Sequence, residues 1–284
     1  YMREQLVFLK NHYPVENGVI TLDPASSGET WYDVKNPASW IFALQAVLPR
    51  TILIAREFKD KELEQMATET LRALPSVPKG RWTCSDKGPV VDRSCPPEES
   101  VFLPAEVFDR HLPINAENPE LYGVWPYGVL DEGKGDYAPA LRTYRQRLWK
   151  NNSVGWELDV IWSARLGLLD ETLATYDNTR FADSLRLPGG LSYEASPSFA
   201  EQPSLPLYPS MQGMGANICH LYEMICRDVD DGIVVLPAWP MDKPLCAALY
   251  SSNAGRVEID YQPGGPVKVA TQRDVPIRLP KQVD

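Results

Sequence analysis

Carboxylates in segments rich in aromatic residues are the side chains of this sequence best suited to catalysis. The first is Glu29, in a loop-like stretch that reaches Trp31 and Tyr32 before a helical pattern begins. A carboxyl beside a tryptophan is partly withdrawn from water, which keeps a proton available near neutral pH. Glu29 is therefore a candidate proton donor and Trp31 a candidate ligand contact. The alternative is a solvated loop glutamate near a helix start.

A second candidate is the stretch 117–127, in which polar groups and aromatic rings alternate. It contains Glu120 as a candidate acid, with Asn118 and Trp125 as candidate sugar contacts. Pro119 at a first helical turn, with an acid beside it, also fits simple helix initiation. Both interpretations stay open from the sequence.

The third candidate is a predicted helix on which Trp156 and Asp159 lie three residues apart and share a face. An acid and a ring there can approach one ligand together, or they are a helix-start carboxylate and a core tryptophan. The fourth is the turn 209–215, which holds Gln212 and two glycines that allow a ligand close to the backbone.

Other chemistries have weaker support. Only three histidines occur, none of them beside a Ser or Cys in a recognisable nucleophile motif. The five cysteines show no Cys-x-x-Cys spacing, and no dinucleotide or phosphate-loop motif is present. We therefore expect neither a metal nor a cofactor.

Charge and composition narrow the partners. With 28 basic against 38 acidic residues the formal charge is −10, which repels nucleic acid and anionic lipid surfaces. No apolar run approaches a bilayer span, so we expect no membrane. The 8 Trp and 13 Tyr suit a neutral hydroxylated ligand, because sugar rings pack their C–H faces on aromatic planes.

Periodicity predicts mainly helices, followed by a small antiparallel β domain. Helices are expected from about Asn36 to Phe58, from about Asp60 to Leu74, and again between residues 119 and 228, with 75–116 as a long loop. Short β-type runs begin at Ile233. The predicted domains are 1–231 and 232–284.

Two features favour secretion. Cys84 and Cys95 flank a loop-like stretch where a disulfide would fit an oxidising compartment, and Asn151 begins a glycosylation sequon. The chain starts at Tyr1 inside a helical pattern, from which we expect a fragment or a processed chain.

The ordered segments resemble glycoside hydrolase family 95 and its relatives among the six-hairpin glycosidases. The clearest parts are residues 155–158, 162–167, 223–225 and 232–240, the last reading Gly-Ile-Val-Val-Leu-Pro-Ala-Trp-Pro. The stretch 117–122 looks like the form found in the relatives of that family.

This resemblance implies part of an (α/α)6 barrel, upstream barrel and β-sandwich segments outside these residues, and inverting exo-hydrolysis of an α-L-fucoside or related sugar. It implies Glu29 as the general acid. Gln212 stands where the family has a water-orienting aspartate, and an amide is no general base. Glu120 or Asp159 then replaces it, or the mechanism differs.

Three functions follow for comparison. The first is a glycoside hydrolase with Glu29 opposite a second carboxylate. The second is a carbohydrate-binding or scaffold protein without activity, favoured by Gln212. The third is a polysaccharide lyase, which needs a Tyr or His base and an acidic polymer that the net negative charge disfavours.

Overall fold

A computed structural model describes residues 1–85, 88–108, 115, 117–131, 136–148, 150, 158–180 and 211–279. The chain forms two units, Tyr1–Lys150 and Asn151–Asp284. The domain boundary expected at residue 231 lies inside the second unit and stays a prediction.

Four α-helices are described in the first unit: α1 (Met2–His12), α2 (Ala38–Glu57), α3 (Lys61–Arg72) and α4 (Tyr137–Gln146). The helices expected from Asn36 and Asp60 are confirmed as α2 and α3. Asp60 caps α3, since its side chain accepts a hydrogen bond from the Leu63 N–H at 3.1 Å. A single 3₁₀ turn covers Pro119–Leu121, where the sequence indicated a helix start.

Helix α2 is the central element of the first unit. Ile41, Phe42 and Leu48 are fully buried on it, and Pro49 lies inside it. The helix is long and apolar enough to cross a membrane by length and composition, contrary to the expectation from the sequence. Such helices also form the cores of globular proteins, and 44% of its apolar window is buried here.

The strands of the first unit are short: β1 (Val15–Glu16), β2 (Val19–Ile20), β3 (Ala25–Ser27), β4 (Trp31–Pro37), β5 (Lys79–Ser85), β6 (Gly88–Asp92), β7 (Val101–Phe102) and β8 (Ala105–Val107). They pair antiparallel as β1-β2, β3-β4-β8 and β6-β5-β7. A core of Val34, Val101, Leu103 and Ala105 joins the last two sheets.

Helices and strands follow one another in the second unit: α5 (Asp159–Arg165), α6 (Leu169–Arg180), α7 (Met211–Ile225), β9 (Cys226–Val229), β10 (Gly232–Val235), β11 (Leu245–Ser251), β12 (Gly255–Tyr261), β13 (Lys268–Thr271) and β14 (Ile277–Arg278). Antiparallel β11-β12-β13 buries Val257, Ile259 and Tyr261, the alternate residues of its middle strand. A second sheet has the order β14-β10-β9, in which β10 pairs antiparallel with β9 and parallel with β14. Strands were expected from Ile233 and begin at Cys226, and the predicted C-terminal β domain stays a prediction.

The fold class expected from the sequence, mainly α with part of an (α/α)6 barrel, is wrong. In the part of the chain that the structure describes, seven helices accompany fourteen strands in several small sheets, and the helices form no barrel. The stretch 75–116, expected as a loop, contains β5 to β8. In strands of two to seven residues the alternation of apolar and polar residues repeats too few times to be recognised among the Pro and Gly residues of this stretch.

The candidate disulfide is also absent. Cys95 is a free thiol, so it forms no bond with Cys84. The sequon at Asn151 is then the remaining sequence argument for secretion.

Candidate active site

The turn between β3 and β4 presents Glu29. Ser27 pairs with Trp31 across this hairpin, which leaves Gly28, Glu29 and Thr30 as a three-residue turn. Gly28 has a φ of +60°, in the left-handed region that favours glycine. The turn therefore projects Glu29 into solvent while Thr30 is fully buried.

The second part of the site is the segment 117–122 around the 3₁₀ turn. Leu121 is fully buried, and α2 packs against the turn. Glu117, Asn118 and Glu120 are buried as well, with 9%, 1% and 4% of their surfaces exposed. The segment thus holds two acids below the surface.

Three hydrogen bonds join the turn to this segment. The Glu29 N–H donates to Oε2 of Glu117 at 2.7 Å, and the Thr30 hydroxyl approaches the same oxygen at 3.4 Å. In return the Glu117 N–H donates to the Thr30 hydroxyl oxygen at 3.1 Å. Residues almost ninety positions apart in sequence therefore form one small network.

Gly28 makes this close approach possible. A Cβ at this position would overlap Oε2 of Glu117. The glycine thus serves two purposes, because its backbone adopts a positive φ and its missing side chain leaves room for the carboxylate.

Glu117 and Glu29 act on each other electrostatically. Burial is the main cause that raises the pKa of Glu117; the Glu29 N–H opposes the shift, whereas the Glu29 charge adds to it. Burial therefore helps to keep Glu117 protonated.

Tyr122 stands among these acids. Its pKa is raised by burial first, and then by the charges of Glu117, Tyr127, Glu120 and Glu29. Its ring meets that of Tyr127 edge to face, with centroids 6.4 Å apart. We call Glu29, Glu117, Glu120 and Tyr122 the acidic site.

Glu120 is the most deeply buried member of the acidic site. Burial raises its pKa to about 8, against the opposing effects of its backbone and of Arg147. At neutral pH it is therefore mainly an uncharged acid. Arg147 is itself buried and stacks on the ring of Tyr144.

A cavity of about 470 Å³ adjoins the acidic site. Residues of α1 and α2 line it, together with Ser26, Gly28, Tyr122 and Tyr127. Tyr122 belongs to both the cavity and the acidic site, and Gly28, which lines the cavity, lies beside Glu117.

The structure brings together Glu29, Glu120 and Asn118 of the residues proposed from the sequence. Glu29 is exposed, so the expected withdrawal of its carboxyl from water is wrong. Trp31 is 6% exposed and packs edge to face on Phe108, which makes it a core residue rather than a ligand contact. Trp125 is half-buried.

The other three candidates belong to the second unit. Asp159 is the first residue of α5 and is 1% exposed. Gln212 falls near the start of α7, but its side chain lies outside the described residues, as does Trp156 altogether. Their proposed roles stay predictions.

Reasoning from sequence missed Glu117 as a separate candidate, together with Thr30, Tyr122 and Tyr127. The sequence indicates the stretch 117–127 through its alternating polar and aromatic residues, but it gives Glu120 as the candidate acid and not Glu117. One feature of the sequence does distinguish Glu117: it precedes the helical turn, so helix geometry does not fix the direction of its side chain. No local pattern pairs it with Thr30.

Comparison with known proteins gives no further assignment, since no family model and no curated protein matches the chain. Within the described ranges no three His, Cys, Asp or Glu side chains are grouped so that they could hold a metal ion.

Proposed function

We propose that the chain is a glycoside hydrolase that uses Glu117 and Glu29 as its acid and base. The observation that carries the proposal is the hydrogen bond from the Glu29 backbone to the buried carboxyl of Glu117, whose pKa is raised, beside Tyr122. Glycosidic bond hydrolysis needs one carboxylic acid to protonate the leaving oxygen and a second carboxylate to activate water.

The surroundings of the two acids support an exchange of the roles implied by the family resemblance. Glu117 is the proton donor, because burial favours its uncharged form. Its proton passes to the glycosidic oxygen as the bond to the anomeric carbon breaks. The Glu29 N–H and the Thr30 hydroxyl then stabilise the carboxylate that remains.

Glu29 is the base in this proposal. It lies in solvent, where a water molecule can reach it. The water oxygen attacks the anomeric carbon from the opposite face, and the water proton goes to Glu29. The reaction inverts the anomeric configuration, and an α-L-fucoside or a related sugar is the substrate class that the resemblance favours.

Two variants and two leaving groups test this assignment. Glu117→Gln should lower kcat by about 10²–10⁴-fold on methyl glycosides, yet keep most activity on 2,4-dinitrophenyl glycosides, whose leaving group needs no proton. Glu29→Gln should lower activity on both. Glu16→Gln, an exposed glutamate in β1, is the matched control and should leave activity unchanged.

The second candidate function is carbohydrate binding without catalysis. The hydrogen bonds from Glu29 and Thr30 to the Glu117 carboxylate favour this function, because they give that carboxylate a structural role in holding the turn in place that needs no substrate. Binding of oligosaccharides without release of reducing sugar from a broad glycan panel would select this function and reject hydrolysis.

A further inference from the structure

The cavity beside the acidic site is lined mainly by apolar side chains. Helices α1 and α2 contribute Leu6, Phe8, Leu9, Trp40, Leu44 and Val47, and the uncharged polar residues Gln5 and Ser39 line it as well. No Asp, Glu, Lys, Arg or His is among the described residues that line it. The described lining therefore offers a charged ligand group no partner of opposite charge.

The cavity and the acidic site share a boundary. Tyr122 lines the cavity and is also a member of the acidic site, and Gly28, another lining residue, lies beside Glu117. A ligand in the acidic site that extends past Tyr122 and Gly28 therefore enters the mainly apolar cavity.

We propose that this cavity binds the aglycone of the substrate, and that the aglycone is an uncharged alkyl or aryl group. The inference rests on the proposed function and specifies its substrate class: the sugar occupies the acidic site, and an apolar alcohol leaves into the cavity. A volume of about 470 Å³ is in the range of pockets that bind small molecules.

Methyl and hexyl glycosides of L-fucose, D-galactose and D-glucose form the probe set. They differ by five methylene groups, each of which gains free energy when it leaves water. Calorimetry with the Glu117→Gln chain should show hexyl glycosides of the bound sugar at least about tenfold tighter than methyl ones. The heat capacity change should be more negative for the hexyl compounds.

Ala43→Phe tests whether the hexyl group lies in the cavity. Ala43 lines it on α2, and a larger ring there fills the space. The variant should lose the preference for hexyl over methyl glycosides. Ala46→Phe is the same replacement on the same helix outside the lining, and it should keep that preference. Thermal melting of both variants shows that each is folded.

The outcomes separate this inference from the proposed function. If no glycoside is cleaved but hexyl glycosides still bind and Ala43→Phe abolishes the preference, the hydrolase proposal fails and the cavity assignment stands. Equal binding and equal kcat/KM for methyl and hexyl glycosides would overturn the inference alone. A dimer at the assay concentration that Ala43→Phe dissociates would assign the cavity to a second copy, and would also overturn it.

Discussion

At the scale of single residues, the site depends on how closely a carboxylate approaches a backbone turn. The Glu29 N–H is available to Glu117 only because residue 28 has no side chain. The arrangement is therefore sensitive to one methyl group, and glycine is the residue at which the geometry can be tested without removing either acid.

Gly28→Ala should displace the Glu117 side chain and lower activity by at least about tenfold, which is the effect of losing one charge-stabilising hydrogen bond. The carboxylate is the flexible end of a side chain, so it can rotate away. The stability cost should be the penalty of about 1 kcal/mol for alanine at positive φ plus about 1 kcal/mol or more for the hydrogen bonds that the buried carboxylate loses. Hydrolysis rates and urea unfolding measure the two effects.

Gly18→Ala is the matched control for this change. Gly18 has a φ of +80°, and a Cβ there meets no atom within 4 Å. It should cost only the backbone penalty of alanine at positive φ, and no activity. Equal activities of the two alanine variants would show that the position of Glu117 does not matter for turnover.

At the scale of the elements, helix starts and helix faces were predictable while the short strands were not. Helix α3 illustrates the first case, because Asp60 and the acids after it marked its start in the sequence and Asp60 caps it in the structure. Arg3 adds an ion pair to Asp60 at 2.7 Å. These bonds lower the pKa of Asp60, the Leu63 N–H having the larger effect.

Asp60→Ala should lower Tm by a few degrees, because α3 loses its cap and its tie to Arg3. Asp60→Asn keeps an oxygen for the Leu63 N–H but loses the charge, so its Tm should lie between those of the alanine variant and the wild type. The wild type should also lose this stability as the pH falls through the lowered pKa of Asp60, because the native state favours the ionised carboxylate. Thermal melting at pH 7 and pH 3 follows both, and equal Tm values for alanine and wild type would refute the capping role.

The site was partly predictable for the same physical reason. Glu29 and the stretch 117–127 could be proposed because acids close to aromatic residues are a pattern that is local in sequence. The bonds between Thr30 and Glu117 depend on how a hairpin packs on a distant segment, and periodicity holds no information on such pairing. The prediction of Trp31 as a ligand contact was wrong, because the sequence does not distinguish an aromatic residue of a strand that faces a ligand from one that faces the core.

At the scale of the whole molecule, the acidic composition affects how stability depends on pH. The formal charge of −10 at neutral pH produces self-repulsion that grows as carboxyls ionise. Glu120 acts in the same direction by a different route, because it is buried and resists ionisation in the folded state. The two contributions can be separated by a variant that removes the ionisable group but keeps its shape.

Glu120→Gln should flatten the dependence of stability on pH between about 5 and 8. In that range an unfolded chain has lost the Glu120 proton, since its ordinary pKa is 4.5, whereas the folded chain keeps it up to about 8. The native state binds more protons, so wild-type stability falls as pH rises, by on the order of 4 kcal/mol at most. The glutamine variant has no such proton, and self-repulsion acts on both chains almost equally. Urea unfolding at pH 5, 6.5 and 8 should therefore give free energies of unfolding for wild type and variant that approach each other towards pH 5, with the variant the more stable at pH 8. Parallel curves would mean that Glu120 ionises in the folded state as readily as in water.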